Sequence, residues 1–323
     1  MHSNDRKPGN PVDRNLFQRR GSTGRPAYVS GIGARTHLLD SETALTPAGP
    51  LPKSNVHFVP TGAHIHKTED VIKIIGADGE ILQSTLLSTL PKAVNTQLSP
   101  IANTTLPDMI ASTSNWKAYT SWGSDDMISY FATTWSVPAA PANYDEQSVY
   151  LFNDLEPASG EAILQPVLQY GLSEAGGGEY WAIVSWYIHH EYAFFTAPIT
   201  VSVGDPLTGI MSLKETLYND ETSSALYKWN CIFSGYSDSS LTVITTDKFI
   251  YANEVLESYN CSGASDYPTG TTKMESIYLR TIHGYPESLT WEPTSDVTDL
   301  IYAAVITDGS QDGEVDIQYP SSE

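Results

Sequence analysis

The stretch that most constrains this chain is Ala162-Ile163-Leu164-Gln165-Pro166-Val167-Leu168-Gln169-Tyr170-Gly171. β-Branched and aromatic residues in period-two alternation fit a pleated, half-buried surface, and successive strand side chains point to opposite faces. Gln165, Val167 and Gln169 therefore share a face, which aims two uncharged amides the same way. Tyr180 to His190 follows with apolar residues on both faces, as a central strand requires. Pro198 to Asp205 alternates and ends at a Gly-Asp turn, as a half-exposed antiparallel strand does, and Ala252 to Tyr259 supplies another strand. No helix-period segment of convincing length occurs. The expectation is an all-β fold, an antiparallel β-sandwich of jelly-roll or concanavalin-like form with an extended N-terminal arm.

The 323 residues and 40% hydrophobic content suffice for a substantial core. Residues 1–54 are rich in Pro, Gly, Ser and Thr and read as a flexible basic arm. Residues 55–114 read as a hairpin-like arm, with runs around Thr61-Gly62, at Val71 to Ile75 and at Ile81-Leu82, followed by a polar linker. Residues 115–291 form the main domain. Residues 292–323 hold one last strand, Ile301 to Thr307, and an acidic tail. Gly176-Gly177-Gly178 reads as a flexible loop near Gln169.

Charge is uneven. Seven of the 17 Lys and Arg lie in the first 35 residues, and the remaining 10 basic and 36 acidic residues leave the body at a formal −26. Such a body repels phosphate backbones and anionic membranes, so neither nucleic acid nor membrane is expected as a partner. The N-terminus lacks an apolar signal core and no segment matches a membrane span, which places the chain in the cytoplasm first and outside the cell second. Cys231 and Cys261 are too few for a disulfide framework, and whether they pair is open. Oligomeric state is open as well.

From about Tyr130 to Thr281 the chain resembles the fungal glutamic peptidases, the eqolisins. Phe131 to Val137 is similar to that family's strand ending in Trp-Val-Pro. Val149-Tyr150-Leu151-Phe152-Asn153-Asp154 sits where the family has Trp-Val-Gly-Ile-Asp. Ala162 to Gln165 matches an Ile-Leu-Gln segment whose Gln is catalytic, and Ala252 to Tyr259 resembles Ala-Glu-Trp-Ile-Val-Glu-Asp-Phe, whose first Glu is the catalytic acid. The resemblance implies an acid endopeptidase without cofactor or metal, acting on peptides. A glutamate activates water and then protonates the leaving amine, while a glutamine amide donates to the oxyanion.

The resemblance makes Gln165 catalytic but departs at the acid. Without a gap the family's Glu falls on Asn253. A one-residue shift brings in Glu254 and turns the strand's faces over unless a bulge absorbs it. Glu257 shares the face of Asn253, about 13 Å along the strand. The candidate catalytic residues are therefore Gln165, Glu254 and Glu257, with Glu156 as a spare carboxylate. Trp135, Asn153, Glu156, Gln169, Trp186 and Tyr187 are the candidate substrate contacts.

Two other readings compete. Exposed aromatics and amides around a cleft suit sugar rings, so a carbohydrate-binding or carbohydrate-active jelly roll, lectin or lyase, acting on a glycan is one alternative. His64-Ile65-His66 with Glu69 is similar to the metal-binding segment of cupins and gives the other. His189 and His190 point to opposite faces of a strand and so cannot bind one ion together.

Overall fold

In the computed structural model, which describes residues 42–87, 115–219 and 224–321, strands begin at the N-terminal edge of the described chain. A small hairpin, β1 (Thr43–Thr46) and β2 (Gly49–Pro52), comes first. It leads into β3 (Val56–Phe58), β4 (His64–Lys67), β5 (Val71–Ile75) and β6 (Ile81–Leu86). After the linker come β7 (Trp116–Gly123), β8 (Ile128–Ser136), β9 (Ser148–Pro157), β10 (Ala162–Ser173), β11 (Gly176–His189) and β12 (Tyr192–Phe195). Next are β13 (Ile199–Thr200), β14 (Pro206–Asn219), β15 (Ser224–Phe233), β16 (Leu241–Thr245) and β17 (Phe249–Tyr259). The last four are β18 (Thr271–Thr281), β19 (Glu292–Ser295), β20 (Tyr302–Thr307) and β21 (Gly313–Gln318).

Two large sheets make a β-sandwich. The first runs β19-β7-β17-β9-β10-β11-β12-β3 with β13 beside β11, and the second runs β20-β21-β18-β8-β14-β15-β16-β4-β5-β6. Between them lies a core that includes Trp135, Leu151, Leu164, Leu168, Ile183, Trp229 and Phe249. A second apolar cluster forms on the outer face of the first sheet. There Tyr150, Phe152, Ile163, Val167, Val184 and Trp186 cluster with Ala44 and Leu45 of the first hairpin and with Val56. The middle strands of this sheet are thus buried on both faces, which explains why β9 and β10 are apolar on both sides.

Four sequence expectations change. Residues 42–52, read as part of a flexible arm, form a packed hairpin with Gly49 turning at φ +93°. The strand expected over Pro198 to Asp205 shrinks to Ile199–Thr200; past Val201, whose N–H still bonds to Trp181 O, Asp205 N–H bonds back to Ser202 O and Gly204 N–H to Val137 O, which turns the chain away. Gly176 to Gly178 are strand residues rather than a loop. A Cβ on Gly177, at φ +121°, would stand 2.1 Å from Gly171 O, so only glycine permits this pairing. The acidic tail holds β21, whose alternation buries Val315 and Ile317. The hairpin-like arm does consist of strands, and they lengthen the edges of both sheets. Residues 1–41 and 88–114, parts of the expected arm and linker, lie outside the described residues. Cys231 and Cys261 are both free thiols. Among the described residues no helix is long and apolar enough to cross a membrane.

Candidate active site

The site is built from one row of side chains across the outer face of the first sheet. Ser121 on β7 is paired with Asn253 on β17, which is paired with Asp154 on β9. The β9–β10 register, running from Leu164↔Leu155 to Val167↔Phe152, sets Gln165 opposite Asp154, and Gln165 is paired with Trp186 on β11. Side chains directly opposite on neighbouring strands have Cβ atoms about 5 Å apart, so the five residues form a continuous band. Glu156, two residues beyond Asp154, adds a second carboxyl on the same face.

Hydrogen bonds tie the band together. Ser121 Oγ donates to Asn253 Oδ1 at 2.6 Å. The Asn253 amide nitrogen donates to Asp154 Oδ1 at 2.7 Å and to Glu156 Oε1 at 3.2 Å, so one amide bridges two carboxyls. Ser121, Asn253, Asp154, Glu156, Gln165 and Trp186 are all buried. Burial drives the Asp154 carboxyl well above the ordinary carboxylate range. Burial does the same to Glu156, and the neighbouring Asp154 pushes it further. The two carboxyls do not both ionise in this setting, because that would carry a large Coulomb and desolvation cost. Gln165 Nε2 and Oε1, Asp154 Oδ2 and Glu156 Oε2 have no partner among the described residues. Each unpaired buried polar group costs about 1–3 kcal/mol, and such groups concentrate where chemistry needs them.

The other residues singled out in the sequence fall elsewhere. Glu254 points into the sandwich, where Thr133 Oγ1 of the second sheet donates to its carboxylate and burial raises its pKa well above the usual value. Asn153 also faces inward, its amide donating to Gly209 O at 3.4 Å. Trp135 belongs to the inter-sheet core, its ring edge-on to Phe233 at 5.8 Å. The Tyr187 hydroxyl reaches inward to Asp247 at 3.2 Å. Glu257 and Gln169 are on the outer face but about 13 Å along their strands from Asn253 and Gln165. There Tyr259 OH donates to Glu257, and Gln169 Nε2 donates to Gly176 O at 2.9 Å. Of the candidates, Gln165, Glu156 and Trp186 come together, and Glu254 and Gln165 stand on opposite faces of the sheet. Asp154, Asn253 and Ser121 complete the band. The Asp154-Leu155-Glu156 spacing was the available signal, because i and i+2 on a strand share a face.

His64 and His66 share the outer face of the second sheet, while Glu69 lies beyond β4 in the turn before β5. No group of three His, Cys, Asp or Glu side chains among the described residues is placed to hold a metal ion.

No protein-family model matches the chain, and no curated protein matches it. Among solved structures it is similar to scytalido-glutamic peptidase with a peptide-based transition-state analogue. That match has 17% identity and a TM-score of 0.38, and it covers 64% of this chain and 99% of the other. It is also similar to SCP-B, a member of the eqolisin family of peptidases, in complex with the tripeptide Ala-Ile-His. There the identity is 17%, the TM-score 0.37 and the coverage again 64% and 99%. These likenesses are a distant relationship of fold.

Proposed function

We propose that the chain is a hydrolase of peptide bonds in which the Asp154/Glu156 carboxyl pair replaces the single glutamate expected by analogy. The observation that carries this reading is the transverse band. A buried glutamine with both amide atoms uncommitted stands opposite one member of a buried carboxyl pair bridged by the Asn253 amide. The ionised member would take a proton from water attacking the carbonyl carbon, and the protonated member would deliver one to the leaving nitrogen. Gln165 Nε2 would donate to the oxyanion as it forms. Asn253, at the position aligned with the family's acid, holds the two carboxyls in register and its N–H groups favour their ionised form against the effect of burial. It cannot itself act as base.

The band is buried, and the β1–β2 hairpin packs over the same face of the sheet. Substrate would therefore reach it only after the covering chain moves aside. The reading is tested by digesting an unfolded protein substrate across the acid to neutral range with wild type, Gln165→Ala, Glu156→Gln and Glu254→Gln. Cleavage should fall off at acid pH, where both raised carboxyls are protonated and no base remains; it should fall about 10²–10³-fold in Gln165→Ala, fall at least as far in Glu156→Gln, and persist in Glu254→Gln. Cleavage that survives Glu156→Gln but is lost in a folded Glu254→Gln variant would refute the assignment. No cleavage by folded wild type at any pH would remove the hydrolase reading.

A further inference from the structure

A separate site emerges on the outer face of the second sheet, on the side of the sandwich away from the carboxyl band. A cavity of about 410 Å³ opens there, lined by His64, Lys228, Thr242, Ser237, Ser240 and Thr61 among others. Strand register explains how these residues meet. His64 is paired with Thr242 across the parallel β4–β16 contact, and Thr242 with Asn230 on β15. One step along the sheet the row reads Lys228, Ile244, His66, Lys73. Four nitrogen bases from three strands therefore stand on one surface of a chain whose formal net charge is −21.

Lys67, Lys117 and Lys273 each pair with a carboxylate, whereas Lys228 and Lys73 make no ion pair among the described residues. Glu215 is opposite Lys228 on β14 and Asp238 lies in the turn between Ser237 and Ser239, yet neither forms an ion pair with it. Burial, and then the charges of His66 and Lys228, hold His64 below its ordinary value; burial and Lys73 do the same to His66. Lys228 and Lys73 thus favour the neutral form of the two imidazoles, and Glu215 is the carboxylate across the strand from Lys228. Thr61, Ser237, Ser240 and Thr242 add hydroxyls to the lining, and Gly62, Ala63 and Ile244 complete it. Ser240 Oγ already accepts from Asn230 Nδ2 at 2.7 Å, which leaves its own proton to donate.

We propose that this cavity binds a small hydroxylated molecule carrying an oxyanion, of the sugar phosphate or hydroxy polycarboxylate class. Lys228 and His64 meet the oxyanion, and Thr61, Ser237, Ser240 and Thr242 meet the hydroxylated body. Lys228 gives the oxyanion a charge-assisted hydrogen bond, and His64 adds an imidazole N–H. The volume lies in the range of small-molecule pockets, about 300–1,000 Å³, and exceeds what a lone phosphate fills.

The test is calorimetric titration of the full chain with citrate, with a hexose monophosphate and with uncharged glucose. At least one anion should bind saturably and glucose should not, and the stronger of the two anions identifies carboxylate or phosphoryl as the recognised group. Affinity should fall about tenfold or more in Lys228→Met, which keeps the apolar stem, and in His64→Gln. It should be unchanged in Lys273→Gln, whose lysine is paired with Glu314 elsewhere on the sheet. Unfolding midpoints for each variant show that the chain is folded. No saturable binding by either anion would overturn the proposal, as would equal affinity in a folded Lys228→Met variant, equal binding of glucose, or equal loss in Lys273→Gln.

Discussion

Replacing Glu257 by glutamine should flatten part of the pH dependence of stability, and the size of the effect follows from where the carboxyl sits. Glu257 is buried on the outer face, accepts the Tyr259 hydroxyl, and is pushed from an ordinary value of 4.5 up to about 8, chiefly by burial. A raised carboxyl favours the protonated folded state. Its contribution is fully present below the unfolded-state value and is lost as pH rises toward the folded-state value. Between pH 4 and pH 7 the loss is about 3 kcal/mol at 1.36 kcal/mol per unit, on the order of magnitude such shifts permit. Glutamine keeps an oxygen acceptor for Tyr259 and cannot ionise.

The decisive quantity is the difference between variant and wild type, because other buried groups also titrate. Asp154, Glu156 and Glu254 are raised by burial and act in the same direction as Glu257. His189 acts in the opposite direction. Burial and Lys67 depress it to about 3, so acid protonates the unfolded chain first and erodes stability as pH falls. These contributions cancel when urea unfolding of wild type and Glu257→Gln is compared at each pH. The variant should gain about 3 kcal/mol relative to wild type on going from pH 4 to pH 7. Parallel stability curves for the two proteins over that range would refute the reasoning, since they would mean that Glu257 ionises at the same pH folded and unfolded.

Further outcomes test other parts of the structure. Lys67 and Asp247 form a 2.8 Å ion pair and are largely buried, so Lys67→Ala should cost about 3–5 kcal/mol in chemical unfolding by leaving Asp247 uncompensated. Asn253→Asp replaces the bridging amide by a third carboxyl and should destabilise the chain more at neutral than at acid pH, which urea unfolding at both will show. Gly177→Ala should disrupt the β10–β11 hairpin by driving a methyl against Gly171 O, giving a lower thermal midpoint. If the carboxyl band is catalytic, removal of residues 1–52 should raise peptide cleavage, because the β1–β2 hairpin then no longer packs on that face. An unchanged rate from a folded truncation would mean that the hairpin does not limit access.

Much of the sandwich was readable in alternation and turn chemistry, while the partition of residues between faces was readable only in places. Gln165 and Gln169 shared a face as their spacing required. Ala252 to Tyr259 was ambiguous because Val255 and Leu256 are both buried, one under the hairpin side and one in the inter-sheet core. A strand buried on both faces has no polar side to reveal its register. Residues 43–52 cause that double burial, and their few apolar positions, Ala44, Leu45 and Leu51, gave little sign of it. Pairing settles the matter: Asn253 lies opposite Asp154, and Glu254 lies opposite Asn153. One residue of register thus separates a bridging amide in the band from a neutral acid in the core.

That separation explains how four carboxyls can be buried within so few strands. Glu254 accepts one hydrogen bond from Thr133 between the sheets, whereas Asp154 and Glu156 share Asn253 on the opposite side. Had a glutamate occupied position 253 with the same neighbours, three carboxyls would have met without a donor among them, at a desolvation and repulsion cost no neighbouring cation offsets. The asparagine and the two-carboxyl arrangement therefore depend on each other: the pair can persist buried because an amide stands at 253, and the amide is held there because both of its N–H groups have a carboxyl to meet. A reversion test follows from this dependence. Asn253→Glu should fold only when Asp154→Asn and Glu156→Gln are introduced with it, and a stable Asn253→Glu single variant at neutral pH would show that the bridge is not what holds the band together.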